Sequence, residues 1–252
     1  MKFIKKIILA IFFILIISIV GNAFYEYYRA KKAFKVAQIL CNTHFESSES
    51  KEARTFFKEN RDLFIPALIK VAEDRNQKYG TRSLAIIFIG EERNVKAIKP
   101  IGELLFDNDW RIRALTAESL GKIGDKSAIK FLSQVWLKED IWEVQQEIVI
   151  ALVKIRDKSV IPNFLKTYKS NDRNTQLLSA IVLYKLSGDN YYFNVIAEAV
   201  SGEEYKTRGR LIWTLGKIGG YEMIPLLEKA LDDKDSRIRK LVQKYIEEIK
   251  IK

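Results

Sequence analysis

Residues able to do chemistry are few in this 252-residue chain. Its one histidine, His44, lies three residues after its one cysteine, Cys41. A Cys-x-x-His pair supplies two ligands where a zinc site needs four, and no others lie nearby in sequence. A single histidine in a polar break offers no Ser/His/Asp set, and no Walker loop or Gly-x-Gly-x-x-Gly stretch occurs. A lone thiol rules out an intramolecular disulfide. On the face of Val36 and Leu40, Cys41 reads as a small apolar residue. The adjacent acids Glu91-Glu92, Glu203-Glu204, Asp232-Asp233 and Glu247-Glu248 fall at turns and helix ends, and read as solvated charge. No catalytic residue, metal ligand, cofactor or small-molecule substrate is inferred, and the chain is expected not to be an enzyme.

Residues suited to binding are more plentiful. Trp110 and Trp142 open helices near repeat junctions and are candidates for exposed contacts, whereas Trp213 lies on an apolar stripe and is expected in the core. The formal net charge is +11, of which Lys2, Lys5 and Lys6 contribute three. That balance suits acidic partners, anionic membrane surfaces or nucleic acid, and equally a solvated Lys-rich surface. For nucleic acid, Arg111, Arg113, Arg208, Arg210, Arg237 and Arg239 would supply the phosphate contacts.

The elements that position these residues repeat. Ile65, Ile98, Ile129, Ile161, Phe193 and Ile224 recur at 31 to 33 residues, and Pro66, Pro162 and Pro225 follow three of them. This period is the signature of stacked helix pairs, in which one unit cannot bury its apolar face alone. In the unit from Asp109, Ile112, Leu115 or Thr116, Ser119 or Leu120, and Ile123 recur at three- and four-residue steps and form one helical stripe. Gly124 sits where a left-handed residue ends a helix. Ser127 and Ser159 are expected to cap the second helices, and the three prolines to fall in their first turns. Gly121 and Gly216 are expected to admit a neighbouring helix at close range.

At the other end of the chain, residues 7–25 hold no charge between Lys6 and Glu26, about the length of a transmembrane helix. Tyr25, Tyr27 and Tyr28 stand where an interfacial aromatic belt would lie. A retained anchor is expected, with a cleaved secretory signal at Gly21-Asn22-Ala23 as the alternative. Lys2, Lys5 and Lys6 disfavour translocation of the tail, so the repeats are expected on the extracytoplasmic side, although Arg29, Lys31, Lys32 and Lys35 weaken that orientation.

These repeats resemble the HEAT-like repeats of the phycobilisome lyase superfamily. Asp109, Ile112, Arg113, Ala117, Leu120, Gly121, Ile123, Gly124 and Asp125 match its unit. Asp235, Ile238 and Arg239 match the opening half of another, and Glu204, Arg208, Leu215, Gly216, Ile218 and Gly219 a third. The resemblance covers about residues 48–250. It implies that the aspartates and arginines tie adjacent repeats together. Gln145 and Gln176 stand where arginine is expected and Arg156 where glycine is, so an unbroken ladder is not expected between about residues 140 and 190.

The expected fold is all-α: a right-handed α-solenoid of about six HEAT-like helix pairs preceded by one transmembrane helix. Residues 1–28 form the anchor, 29–47 a juxtamembrane helix and polar break, and 48–252 the solenoid with a C-terminal capping helix. The leading function is a non-enzymatic, membrane-tethered protein-interaction scaffold, with a protein partner. Its groove is expected on the second helices, at Lys99, Glu103, Lys130, Gln134, Asn163, Lys166, Asn194 and Glu198, with Trp110 and Trp142 as further contacts. Their mixed charge disfavours a polyanion. The alternative is a nucleic-acid-binding protein like the HEAT-like DNA glycosylases, or a secreted binding protein. A chromophore lyase, suggested by the superfamily name alone, ranks last because no characteristic catalytic group is present.

Overall fold

In a computed structural model the described residues are 2–42 and 47–251, with side chains described from Ser18 onward. His44 lies outside them. The described chain is helical throughout, without a strand. It divides into two compact units, residues 1–88 and 89–252, and the boundary falls within helix α4 (Tyr79–Glu91).

The first unit begins with the long helix α1 (Lys2–Asn42), followed by α2 (Ser48–Glu59) and α3 (Arg61–Glu73). From residue 29 onward α1 behaves as a packed helix. It buries Ala33, Ala37, Leu40 and Cys41 at three- and four-residue steps, and it packs on α2 and α3. Arg29 donates to Asn60 and Asp62 of this unit. Burial pushes the Cys41 thiol up to about 12, so the residue serves packing and is not reactive, as its sequence position suggested.

The expected single-pass membrane localisation is corrected here. Among the described residues no helix is long and apolar enough to cross a membrane. Part of the expected anchor over residues 7–25 lies outside the described side chains. In the part that is described, the apolar stretch ends at Tyr25, and the same helix continues through Glu26, Arg29, Lys31 and Lys32 into protein contacts.

The second unit is a stack of repeats. Its first helices are α6 (Trp110–Ile123), α8 (Trp142–Ile155), α10 (Arg173–Ser187) and α12 (Tyr205–Ile218). The second helices are α5 (Ile98–Gly102), α7 (Ile129–Trp136), α9 (Ile161–Thr167), α11 (Asn190–Gly202) and α13 (Ile224–Glu228). Helix α14 (Ser236–Ile251) closes the array. The anchor residues at 98, 129, 161 and 224 each open a second helix, as the period predicts.

The caps are aspartates, not the expected serines. Asp125 accepts from the Ser127 N–H at 2.9 Å and Asp157 from the Ser159 N–H at 2.8 Å, each opening a short 3-10 turn ahead of α7 and α9. Pro162 and Pro225 lie in first turns, but Pro66 falls inside α3, because that helix starts at Arg61. Gly124 is left-handed at φ 76°, and Arg156 takes the same role at φ 58°.

Two close approaches set the spacing between first helices. A Cβ on Gly121 would lie 2.8 Å from the Ala151 Cα, and one on Gly216 would lie 2.2 Å from the Tyr245 ring. Both glycines therefore stand where a side chain is sterically excluded, as expected from the sequence.

Candidate functional site

Three first helices of the second unit open on an aromatic residue: Trp110 on α6, Trp142 on α8 and Tyr205 on α12. Capping explains the register on α6, where Asp109 accepts from the Arg111 N–H and leaves Trp110 as the first helical residue. One to two turns on, the same helix faces present Ala114, then Gln146 and Glu147, then Gly209, Arg210 and Trp213. With Leu241 of α14 they line a largely apolar groove of about 500 Å³.

The groove exists because α8 and α12, separated by a whole repeat in sequence, meet directly. Gln146 Nε2 donates to the Arg210 carbonyl at 3.0 Å and to the Thr214 hydroxyl. Arg210 then lies 5.0 Å from the centre of the Trp142 ring and 3.7 Å from Glu143. Arg237 stacks 4.4 Å over Tyr205 while pairing with Asp235.

Two features of this groove are unlike ordinary core. Trp142 is only 6% exposed, yet its Nε1–H has no hydrogen-bond partner among the described residues. The equally buried Trp136, by contrast, donates to Thr167 at 3.2 Å and stacks on Phe164. Glu147 is the second feature. Burial, reinforced by the neighbouring Glu118 charge, pushes its carboxyl up to about 7, against the opposing pull of Lys154, Lys217 and Lys122. A carboxyl so placed gains and loses its proton near neutrality.

The arginines proposed as phosphate contacts are engaged within the protein. Arg113 pairs with Glu139 at 2.8 Å and donates to the Asp107 carbonyl. Arg208, buried, pairs with Asp233 at 2.6 Å and donates to the Glu203 carbonyl. Arg239 donates to the Asp233 carbonyl, Arg111 pairs with Asp109, and Arg237 with Asp235. These contacts tie first helices to the preceding turns and to the next repeat, the structural role implied by the resemblance. Asp233 is therefore half of a buried ion pair, not solvated charge. Gln145, in an arginine position, reaches only the Glu139 carbonyl and Thr175.

Of the residues singled out in the sequence, Trp110 and Trp142 both line the groove, the first 41% exposed and the second buried. Trp213 is half-buried and lines it too, where core was expected. Lys99, Glu103, Lys130, Gln134, Lys166, Asn194 and Glu198 are exposed on the second-helix side, with Asn163 half-buried, and none of them lines the groove. Glu143, Gln146, Glu147, Tyr205 and Lys206 were missed, and Arg210 was read only as a phosphate contact. A signal existed: on α8, whose other positions are almost all apolar, Glu143, Gln146 and Glu147 form a polar stripe one turn apart beside Trp142.

This arrangement defines a helical-repeat module with an aromatic groove on its first helices. Residues 65–152 match the family of HEAT repeats. Over 179 residues the chain is 22% identical to phycocyanobilin lyase subunit alpha of a Picosynechococcus species, covering 65% of this chain and 67% of the relative. The complex of CpcE and CpcF of phycocyanin lyase from Nostoc sp. PCC7120 is similar in fold, at a TM-score of 0.54 and 19% identity, over 84% of this chain and 93% of that one. Human deoxyhypusine hydroxylase in complex with glycerol is similar at a TM-score of 0.53 and 17% identity, over 77% and 76% of the two chains. The curated relative is a subunit of an enzyme, which overturns the expectation that this chain is no enzyme. The physical basis of that expectation, the missing histidine chemistry, left out carboxyls such as Glu147, whose acid–base behaviour depends on burial.

Proposed function

We propose that this chain is a HEAT-repeat subunit that works in contact with a protein partner, and that the aromatic groove of α6, α8, α12 and α14 is the contact surface. The observation that carries this reading is the convergence of Trp110, Trp142, Tyr205 and Trp213 on one open groove. Large aromatic side chains with a polar edge dominate the energetics of protein interfaces. Similarity to a chain that forms a two-protein complex supports the same reading.

Replacing Trp110 and Tyr205 together with alanine is expected to weaken partner capture at least about tenfold, the scale of one or two interface anchors. Charge reversal at Lys130 and Lys166 tests the second-helix surface with Lys99, Glu103, Gln134, Asn163, Asn194 and Glu198 around it. It is expected to leave capture nearly unchanged, because none of these residues lines the groove. Quantitative affinity capture with cross-linking from intact cells decides between them. Full capture by the groove variant, with loss in the lysine variant, moves the site to the second helices.

A second reading follows from the similarity to a phycocyanobilin lyase subunit, with Glu147 as the acid–base group of a site that handles a bilin. Mixing the chain with phycocyanobilin and its Glu147→Gln variant tests this. An unchanged visible spectrum with the parent chain rejects it.

A further inference from the structure

We infer that a second site, a basic pocket where α8 and α10 end, binds a phosphate monoester through Arg156, Lys158 and Lys185. It shares no residue with the aromatic groove and does not depend on the reading of that groove.

The pocket, of about 330 Å³, is lined by Val153, Arg156, Lys158, Lys185, Leu186 and Glu222. Three repeats supply it. Val153 and Arg156 stand at the end of α8, and Lys158 in the 3-10 turn ahead of α9. Lys185 and Leu186 belong to the last turn of α10, and Glu222 to the 3-10 turn ahead of α13. The lining thus carries three cations and one carboxylate. Asp157, the nearest other acid in sequence, does not line it. Its carboxylate caps the turn at the Ser159 N–H and pairs with Lys126 at 3.2 Å.

The pocket's own carboxylate shows how it treats an anion. The Lys185 side chain, only 10% exposed, donates to Glu222. That hydrogen bond holds the Glu222 carboxyl below its usual range, helped by the charges of Lys185 and Arg156 and opposed by burial. Glu222 offsets one of the three positive charges. The two left over match the dianion that a phosphate monoester carries near neutral pH. Arg156 brings a planar fork of N–H donors suited to phosphate oxygens, and the lysines add point charges. Helix-end electrostatics explains only part of this cluster. Each first helix of the unit has a lysine near its end, at Lys122, Lys154, Lys185 and Lys217, where the helix dipole favours a cation. Arg156 and Lys158 are additional to that series. Lys126, the equivalent of Lys158 one repeat earlier, is paired with Asp157, whereas Lys158 lines the pocket. Arg156 also stands against the preference of the backbone. At φ 58° it occupies the left-handed position that glycine fills after α6 and α10. Non-glycine residues held in that region cluster at ligand sites.

The test is titration of the full chain at constant ionic strength, followed by its arginine side-chain N–H resonances. The probes are inorganic phosphate, a phosphoserine peptide and the same peptide without phosphate. The Arg156 resonance, assigned by its absence in Arg156→Gly, is expected to move saturably with both phosphate probes and not with the plain peptide. Arg156→Gly places glycine where the backbone favours it, so the variant is expected to fold at least as well as the parent. Calorimetry should show it binding phosphate about tenfold more weakly, as loss of one charge-assisted contact does. Glu222→Gln removes the competing carboxylate and should tighten phosphate several-fold. Tighter binding of the phosphoserine peptide than of inorganic phosphate would assign the site to a phosphorylated partner, and equal binding to a small phosphate compound. A response to phosphate no larger than to chloride overturns the inference. So does binding of the plain peptide, parental affinity in Arg156→Gly, or no gain in Glu222→Gln.

Discussion

Gly216 and Glu147 show how single residues set the properties of the stack. A Cβ at Gly216 would overlap the buried Tyr245 ring, which α14 holds in place. Gly216→Ala should therefore destabilise the protein by about 1–3 kcal/mol through overpacking. Gly209, on the same helix, meets only Ile238 Cδ1 at an ordinary 3.5 Å. There alanine should be neutral, or stabilising by up to about 1 kcal/mol through helix propensity. Urea unfolding of the two variants reads the difference, and equal midpoints would show that Tyr245 yields freely.

Glu147 leads to a pH dependence. Its carboxyl is held near 7 by burial against an ordinary value of 4.5, so the folded chain keeps a proton that the unfolded chain releases. Stability from this group is then complete below about pH 4.5, falls as pH rises toward 7, and is level above that. Glu147→Gln should remove the fall. The variant should gain on the order of 2 kcal/mol over the parent at about pH 8 and little at about pH 4. Parallel stability curves for the two proteins would contradict this account.

Among the elements, α14 carries the clearest stripe. Ile238, Val242, Tyr245, Ile246 and Ile249 are buried at three- and four-residue steps, while Lys240, Lys244, Glu247 and Glu248 face out. This is the pattern of a solenoid cap, one face apolar and the other wet. Each buried side chain of this size contributes about 1.5–3 kcal/mol, so five of them are comparable to the usual margin of a domain. Truncation after Asp235 should expose the α12 face, raise binding of an apolar dye, and lower the melting temperature sharply. A truncated chain with unchanged melting would show that α14 adds nothing to the stack. The second helices tell a different story, since α5, α7, α9 and α13 are a turn or two long, and α7 and α9 rest on aspartate-capped 3-10 turns. They are held by packing, with propensity adding little.

At the scale of the second unit, the groove follows from a contact between non-adjacent first helices. Nearest-neighbour contacts join α6 to α8, α8 to α10 and α12 to α14. The additional contact of α8 with α12, sealed by Gln146, brings aromatic residues from non-adjacent repeats to one groove. Gln146→Ala should splay that contact, leave the amide-lacking Thr214 hydroxyl bonded only to the Arg210 carbonyl, and weaken partner capture without abolishing folding. A capture assay on a variant with unchanged circular dichroism checks this. Undiminished capture would mean that the groove holds its shape without the bridge.

The helical repeat was legible in the sequence because its causes are local. A period of 31 to 33 residues, a three-to-four stripe, a positive-φ residue after each first helix and small residues at Gly121 and Gly216 all act within a few turns of chain. The departures were legible too: Arg156 takes the left-handed position that glycine fills elsewhere, and Gln145 makes the shorter reach of an absent arginine. The candidate site was not legible in the same way. Trp110 and Trp142 stood out by type, but the partners that make them a groove lie far away in sequence. Gln146 meets Arg210 and Thr214 across 64 and 68 residues. Charge state followed the same rule. The raised Glu147 carboxyl, the unpartnered Trp142 N–H and the neutralised arginines depend on desolvation and on neighbours supplied by other repeats. Periodicity fixes which face of a helix turns inward, while only the stacked helices decide what that face meets.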